Sequence, residues 1–174
     1  MKKEEIVDLY DKERIKIGKT ITRSETTPAL TYRLIVHVCI FDYNGKMLIQ
    51  RRHQDKKMGG LWDITCGGAV KAMESSEEAI QRELKEELSI SFDFKDIRPI
   101  LTANFKYGFD DFYIINKNID LETLSLQEDE VIDARWANKD EVINLLRQGR
   151  FVKYKENFIN LIFDLNKDDR IVEI

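Results

Sequence analysis

Apolar and polar positions change their spacing along the chain, and the change predicts strands mixed with helices, an α/β fold. The run Leu34 to Phe41 is rich in Val and Ile, which favours a buried strand. Asn44-Gly45 predicts a tight hairpin, so Lys46 to Gln50 is expected to return as the next strand. Two further strands are predicted at Ile97 to Phe105 and Phe112 to Ile115, with a turn between them at Tyr107 to Asp110.

Three helices are predicted by apolar residues that recur at three- and four-residue spacing. In the first, Ile80, Leu84 and Leu88 form an apolar stripe, and Ser75 or Ser76 is placed to cap its start. Glu78 stands three residues after Ser75, as a capping box requires. The other two helices are expected from Asn138 to about Gln148 and around an apolar face of Phe158, Leu161, Ile162 and Leu165.

Length and composition favour one compact domain over residues 1–174, with residues 1–30 as an N-terminal extension or hairpin. The formal net charge is −4 and no basic tract is present, so we do not expect extended nucleic-acid binding. No apolar run approaches the length that crosses a bilayer, so no membrane association is expected. Cys39 and Cys66 show no metal-like pairing, which favours a reduced, cytoplasmic setting.

Three carboxylates are closely spaced on the first predicted helix. Glu83, Glu86 and Glu87 stand at i, i+3 and i+4, so they project from neighbouring positions on one helical surface. Their mutual repulsion would weaken the helix unless a cation relieved it, and clustered oxygen ligands suit Mg²⁺ or Mn²⁺. The alternative is a solvated helix face of mixed charge, which is the ordinary role of such sequences.

The surrounding residues decide between these two interpretations. Gly68, Glu74 and the run Arg82-Glu83-Leu84-x-Glu86-Glu87 fit the spacing of a long motif, and residues 68–90 resemble the Nudix box. Of its fixed positions only the last glycine is replaced, by Ser89, which makes a left-handed exit from the helix less easy. Outside the box, several segments resemble the branch related to isopentenyl diphosphate isomerase: Tyr32 to Arg52, Gly59 to Asp63, and Leu126 to Trp136.

The resemblance implies a Nudix fold, a mixed sheet between helices, and hydrolysis of a diphosphate compound with Mg²⁺ or Mn²⁺. It implies that Glu83, Glu86 and Glu87 hold the metal, with a backbone carbonyl of Gly67 or Gly68. By the same pattern Arg82 orients these acids, Glu74 pairs with Arg82, and Gly68 is structural. The general base would be one of the box glutamates, ranked first, or Glu130 in the later acidic loop.

Residues outside the box are candidates for binding a small diphosphate substrate. Arg52 and Lys57, with their neighbours Arg51 and Lys56, could form a cationic rim that clamps phosphates, or simply a solvated strand end. Phe105 and Tyr107 are candidates for stacking on a base. A homodimer paired through the hydrophobic N-terminal segment is also an open expectation.

Two other functions compete with hydrolysis. In an isopentenyl diphosphate isomerase a catalytic cysteine would stand where this chain has Gly67, with Cys66 one residue earlier, and a metal-binding histidine where it has Arg33. A one-residue shift on a strand turns the side chain to the opposite face, so hydrolysis is favoured. A module that senses a ligand without cleaving it usually loses the box acids, which are intact here.

Overall fold

The computed structural model of the protein describes residues 4–167. The strands are β1 (Ile6–Tyr10), β2 (Lys16–Thr22), β3 (Arg33–Phe41), β4 (Met47–Arg52), β5 (Trp62–Asp63), β6 (Cys66–Ala69), β7 (Leu101–Phe105), β8 (Gly108–Asn116) and β9 (Val131–Ala137). The helices are α1 (Ser76–Leu88), α2 (Lys139–Arg147) and α3 (Glu156–Lys167), and a short 3₁₀ turn covers Leu121–Thr123.

The larger sheet is mixed, which confirms the predicted α/β class. Its central strand β3 runs parallel to β8 and antiparallel to β6. The predicted hairpin at Asn44-Gly45 joins β3 to β4, but β4 pairs with β3 only at Phe41 and Met47 before it turns away to pair with β5 and β9. The divergence leaves room beside β3 for β6, the strand that carries Gly67 and the box residue Gly68.

Two apolar clusters lie on the two faces of this sheet, because successive side chains of a strand point to opposite faces. Val36, Val38 and Ile40 of β3 pack on one face with the stripe of α1, which contributes Ile80, Leu84 and Leu88. Cys39 and Phe41 pack on the other face with α2 and α3. The sheet is therefore covered by helices on both sides. Of the three helices, α1 packs on one face, and α2 and α3 pack on the other.

Three local predictions were wrong in detail. The strand expected from Ile97 begins only at Leu101, because Pro99 has no N–H for a ladder and favours an irregular approach. The turn before β8 consists of Lys106 and Tyr107, since Phe105 pairs directly with Gly108. The buried face of α3 is formed by Ile159, Ile162, Phe163 and Leu165, whereas Phe158 and Leu161 are only partly buried.

Helix α1 begins and ends with identifiable caps. Ser75 and Glu78 form the predicted reciprocal capping box. At the other end Ser89 adopts the left-handed conformation, with φ 56° and ψ 23°, and its N–H donates to the Leu84 carbonyl. A residue with a Cβ is strained there, so the serine that replaces the last glycine of the box has kept the glycine-like geometry.

Replacing Ser89 by glycine is therefore expected to stabilise the protein by about 0.5–1 kcal/mol, because the steric cost of the left-handed conformation disappears. Met73, which is exposed and has φ 73°, should respond in the same way to Met73→Gly. Urea unfolding measures both changes. Ser89→Ala is the matched control, since it removes the hydroxyl but keeps the strain, and an equal gain in that variant would contradict the explanation.

The N-terminal strands β1 and β2 form an antiparallel hairpin that is attached to the rest of the fold. Its tip carries Arg14, whose guanidinium makes a two-pronged contact with the fully buried Asp111 of β8, including Nη1 to Oδ1 at 2.9 Å. Asp111 also accepts hydrogen bonds from Ser76 at the start of α1 (2.7 Å) and from Thr102 (2.7 Å). One carboxylate thus ties the hairpin to the first turn of α1.

Candidate active site

Helix α1 presents its three box carboxylates in two environments. Glu83 and Glu87 are buried, with 7% and 8% of their surface exposed, and Glu86 on the outer side of the helix has 47% of its side chain exposed. A buried carboxylate is costly unless cations or hydrogen-bond donors compensate its charge. The partners of each acid therefore show what the site is built to hold.

Glu87 has two polar neighbours that sequence analysis missed. The Gln50 side chain on β4 donates from Nε2 to Glu87 Oε2 at 3.0 Å, and the Cys66 thiol on β6 hydrogen-bonds the same carboxylate. Burial raises the pKa of Glu87 to about 7, because these neutral donors do not offset the desolvation of its charge. Gln50 Oε1 is itself buried without a hydrogen-bond partner. The two hydrogen-bond donors of Glu87 are therefore both neutral.

Glu83 lies against the backbone of β6 at Gly68, which has no side chain and so leaves room for the carboxylate. A Cβ built on Gly68 would overlap the Glu83 carboxylate, so Gly68 is required by close approach and not by a turn. Gly67 and Gly68 belong to strand β6, and the turn that leads to α1 follows at residues 71–74. Burial raises the pKa of Glu83, although the charge of Arg82 opposes that shift.

Arg82 links the glycine strand, the turn and the acids. Its Nε and Nη2 donate to Glu74 at 2.6 and 2.9 Å, and its Nη1 donates to Glu83 at 2.8 Å and to Glu86 at 3.2 Å. Burial alone would raise the pKa of Glu74, but the Arg82 hydrogen bonds hold it below its usual value. The predicted pairing of Arg82 with Glu74 is present, and the same guanidinium spaces Glu83 from Glu86.

A cavity of about 1060 Å³ opens over the acids. Its floor consists of Gly67 and Gly68 of β6 with Glu83, Glu86 and Glu87 of α1. One wall is formed by the N-terminal hairpin and the turn after β6: Glu4, Glu5, Ile6, Arg23, Ser24, Lys71 and Ala72. The opposite wall consists of Arg52, Lys56, Gln127 and Glu130. An acidic floor between two walls that carry cations suits a ligand bound through both a metal and phosphate groups.

The remaining candidate residues are distributed unevenly around this cavity. Arg52 lines it while donating to Asp63 at 3.0 Å, and Lys56, rather than the exposed Lys57, faces it as the ion-pair partner of Glu130. Phe105 and Tyr107 are exposed on the β7–β8 hairpin and are not among the residues that line the cavity. The aromatic pair is displaced because β7 lies at the far edge of the sheet, with β8 between it and β3.

The donor set suits a hard divalent cation, although the side chains do not converge as they stand. In residues 4–167 no three acidic, histidine or cysteine side chains are close enough together to hold an ion. Arg82 lies between Glu83 and Glu86, and the Glu86 side chain is about half exposed. Two buried carboxylates and one half-exposed carboxylate provide the oxygen ligands that Mg²⁺ or Mn²⁺ prefers.

The comparisons with known proteins agree with this architecture. The NUDIX domain model matches residues 31–160. The chain belongs to the Nudix hydrolase family. The Nudix hydrolase lmo0368 of Listeria monocytogenes, itself uncharacterised, is 38% identical over 159 residues, which cover 91% of this chain and 93% of that protein. Its counterpart lin0387 of Listeria innocua is 37% identical over the same shares of both chains.

Solved structures show the same Nudix fold. DR0079 from Deinococcus radiodurans superposes with a TM-score of 0.72 at 22% identity, covering 91% of this chain and 99% of that one. The MutT protein from Methanosarcina mazei superposes with a TM-score of 0.64 at 23% identity, covering 83% and 99%. At such identities the likeness shows the fold alone. The closer kinship to the isopentenyl diphosphate isomerase branch stays a prediction.

Sequence analysis missed three residues that reach this Nudix site from outside the box: Glu5, Arg23 and Gln50. Gln50 ends an apolar strand run, and a polar residue at that position was a weak signal that it faces something other than solvent. Glu5 and Arg23 belong to the segment predicted as an N-terminal extension or hairpin, and no local pattern marks them as site residues.

Among residues 4–167, no helix is both long and apolar enough to traverse a lipid bilayer.

Proposed function

We propose that this Nudix hydrolase cleaves a phosphoanhydride bond of a small diphosphate compound with Mg²⁺ or Mn²⁺ held by Glu83, Glu86 and Glu87. The observation that carries the proposal is the floor of the cavity, where two buried carboxylates meet an open space flanked by cations. Burial raises the pKa of both acids, even though Arg82 contacts Glu83. Such burial is costly, and the position of these acids at a cavity floor favours a functional role.

The residues around the cavity have separate roles in the proposed reaction. When bound, a divalent ion neutralises charge on the phosphate oxygens and activates water for attack on phosphorus. Gln50 and Cys66 hold the Glu87 carboxylate in place, and Arg82 holds Glu83 against Gly68. Glu86, exposed at the cavity, is our first candidate for the proton acceptor. Glu130 is the second, and it stands on the opposite wall paired with Lys56.

The surroundings of Cys66 favour hydrolysis over isomerisation. Isomerisation of an alkene needs a thiol that faces the substrate, but Cys66 is fully buried and hydrogen-bonded to Glu87. Burial raises the pKa of this thiol well above its usual value, and the nearby carboxylates add to the shift. At the position where an isomerase would carry its cysteine, Gly67 lies on the other side of β6, against the His37 ring.

A substrate panel tests the proposal. Purified protein is incubated with nucleoside diphosphates, nucleoside triphosphates, sugar-linked diphosphates and isopentenyl diphosphate, with Mg²⁺, with Mn²⁺ or with EDTA. We expect phosphate or phosphomonoester release from at least one compound, dependent on the metal. Formation of dimethylallyl diphosphate would favour the isomerase, and tight binding without turnover across the panel would favour a ligand sensor.

A further inference from the structure

The hairpin wall of the cavity contains two cations that share one carboxylate. Arg23 Nη1 lies 2.5 Å from Glu5 Oε2, and Lys71 Nζ lies 3.6 Å from Glu5 Oε1. All three side chains line the cavity; Arg23 directly follows β2, and Lys71 lies in the turn after β6. Two positive charges thus converge on a single acceptor group.

This cluster adjoins the proposed metal site. Lys71 Nζ lies 3.9 Å from Glu86 Oε1, so the same ammonium group borders both Glu5 and the acidic floor. A carboxylate carries one negative charge on two oxygens, whereas a terminal phosphoryl group carries up to two charges on three oxygens. An arginine and a lysine together therefore match a phosphoryl group better than they match Glu5.

We propose that Arg23 and Lys71 form a phosphoryl-binding subsite on the hairpin wall, which Glu5 occupies while no substrate is bound. The inference deepens the proposed function, since the subsite would hold the phosphoryl group of a diphosphate that is not being attacked at the acidic floor. Arg23 and Lys71 are then specificity residues that select substrates with a second phosphoryl group. The N-terminal hairpin is part of the substrate site.

The hairpin is held firmly enough to position such a group. The Ile6 carbonyl accepts a hydrogen bond from the Ala72 N–H at 2.8 Å, next to Lys71. Asp8 accepts from the Met73 N–H at 2.9 Å and pairs with Lys16 at 2.8 Å. These links fix β1 to the turn that carries Lys71, so Arg23 and Lys71 keep their relative placement.

Binding of methylenediphosphonate in the presence of Mg²⁺ tests the subsite without turnover, because its P–C–P bridge is not a phosphoanhydride. By isothermal titration we expect Arg23→Gln and Lys71→Gln each to weaken binding by roughly three- to tenfold, as expected for loss of one partly exposed charge-assisted contact. Glu5→Gln should tighten binding about threefold or more, because it removes the competing negative charge. Lys19→Gln, on the exposed part of β2, should bind like the unmodified protein.

The proposed subsite would be contradicted by unchanged affinity in both Arg23→Gln and Lys71→Gln, or by weaker binding in a folded Glu5→Gln protein. Lys71 lies outside the hairpin, so Lys71→Gln remains decisive if a hairpin variant unfolds. The proposed hydrolysis fails separately, when the unmodified protein releases no phosphate across the substrate panel. If the enzyme is active, Arg23→Gln and Lys71→Gln should raise KM by a larger factor than they lower kcat. A purely structural defect would not produce this difference.

Discussion

Glu87→Gln is expected to lower activity by at least about 100-fold while making the metal-free protein more stable at pH 8. Replacing a residue that merely orients a metal ligand lowers metal affinity or activity by roughly 10–100-fold. Replacing a ligand itself should therefore reach the upper end of that range or exceed it. Stability should rise because glutamine keeps the shape and the bond from Gln50 but removes a charge buried between neutral neighbours.

The gain in stability should depend on pH in a defined direction. The pKa of Glu87 is raised by burial from an ordinary 4.5 to about 7 in the folded protein, so folding favours its protonated form. The destabilising effect of ionisation is therefore absent below about pH 4.5 and reaches its full value above pH 7, where the change in pKa from 4.5 to about 7 corresponds to roughly 3 kcal/mol.

Urea unfolding in EDTA at pH 4.5 and pH 8 measures this difference. The free energy of unfolding of Glu87→Gln should equal that of the unmodified protein at pH 4.5 and exceed it at pH 8. Glu86→Gln is the matched control: we expect a similar loss of activity but little gain in stability, because the Glu86 side chain is half exposed. Retained activity in Glu87→Gln would mean that the metal is held elsewhere.

Gly68→Ala is expected to weaken Mn²⁺ binding by about tenfold or more and to destabilise the protein by about 1–3 kcal/mol, the usual cost of overpacking. The added methyl group would occupy the space of the Glu83 carboxylate, which must then move away from Arg82 and the floor. Electron paramagnetic resonance counts free Mn²⁺ directly, so metal affinity can be measured without a substrate.

A double substitution separates this clash from a general backbone effect. Glu83→Asp shortens the displaced side chain by one methylene, so Gly68→Ala should cost less stability in the Glu83→Asp background than in the unmodified one. Purely additive losses in the double variant would contradict the proposed contact between Gly68 and Glu83.

Features that depend on near neighbours were predictable from the sequence. The capping box of α1 and the apolar stripe on its buried side follow from spacing along a single helix. The pairing of Arg82 with Glu74 followed from a long motif that links the turn to the helix. Ser89 shows the limit of such reasoning, since its left-handed geometry is imposed by the chain and not by the residue's own preference.

Features that depend on long-range register were not predictable. Gln50 meets Glu87 because β4 turns away from β3 and brings its fourth residue over α1, a consequence of pairing with β9. Phe105 and Tyr107 look suitable for stacking in the sequence, yet the position of their hairpin depends on the order of strands in the sheet. Contacts between Arg14 and Asp111 span 97 positions, and no local pattern reports them.

The link from Arg14 through Asp111 to Ser76 has a consequence for how this enzyme tolerates shortening. Trimming the chain to the Nudix motif and its sheet would remove the charged partner of the Asp111 carboxylate and leave it with the hydroxyl donors of Ser76 and Thr102. Losing one partner of a buried ion pair is strongly destabilising. The first two strands are therefore an integral component of the fold, and their loss would be transmitted directly to the first turn of α1.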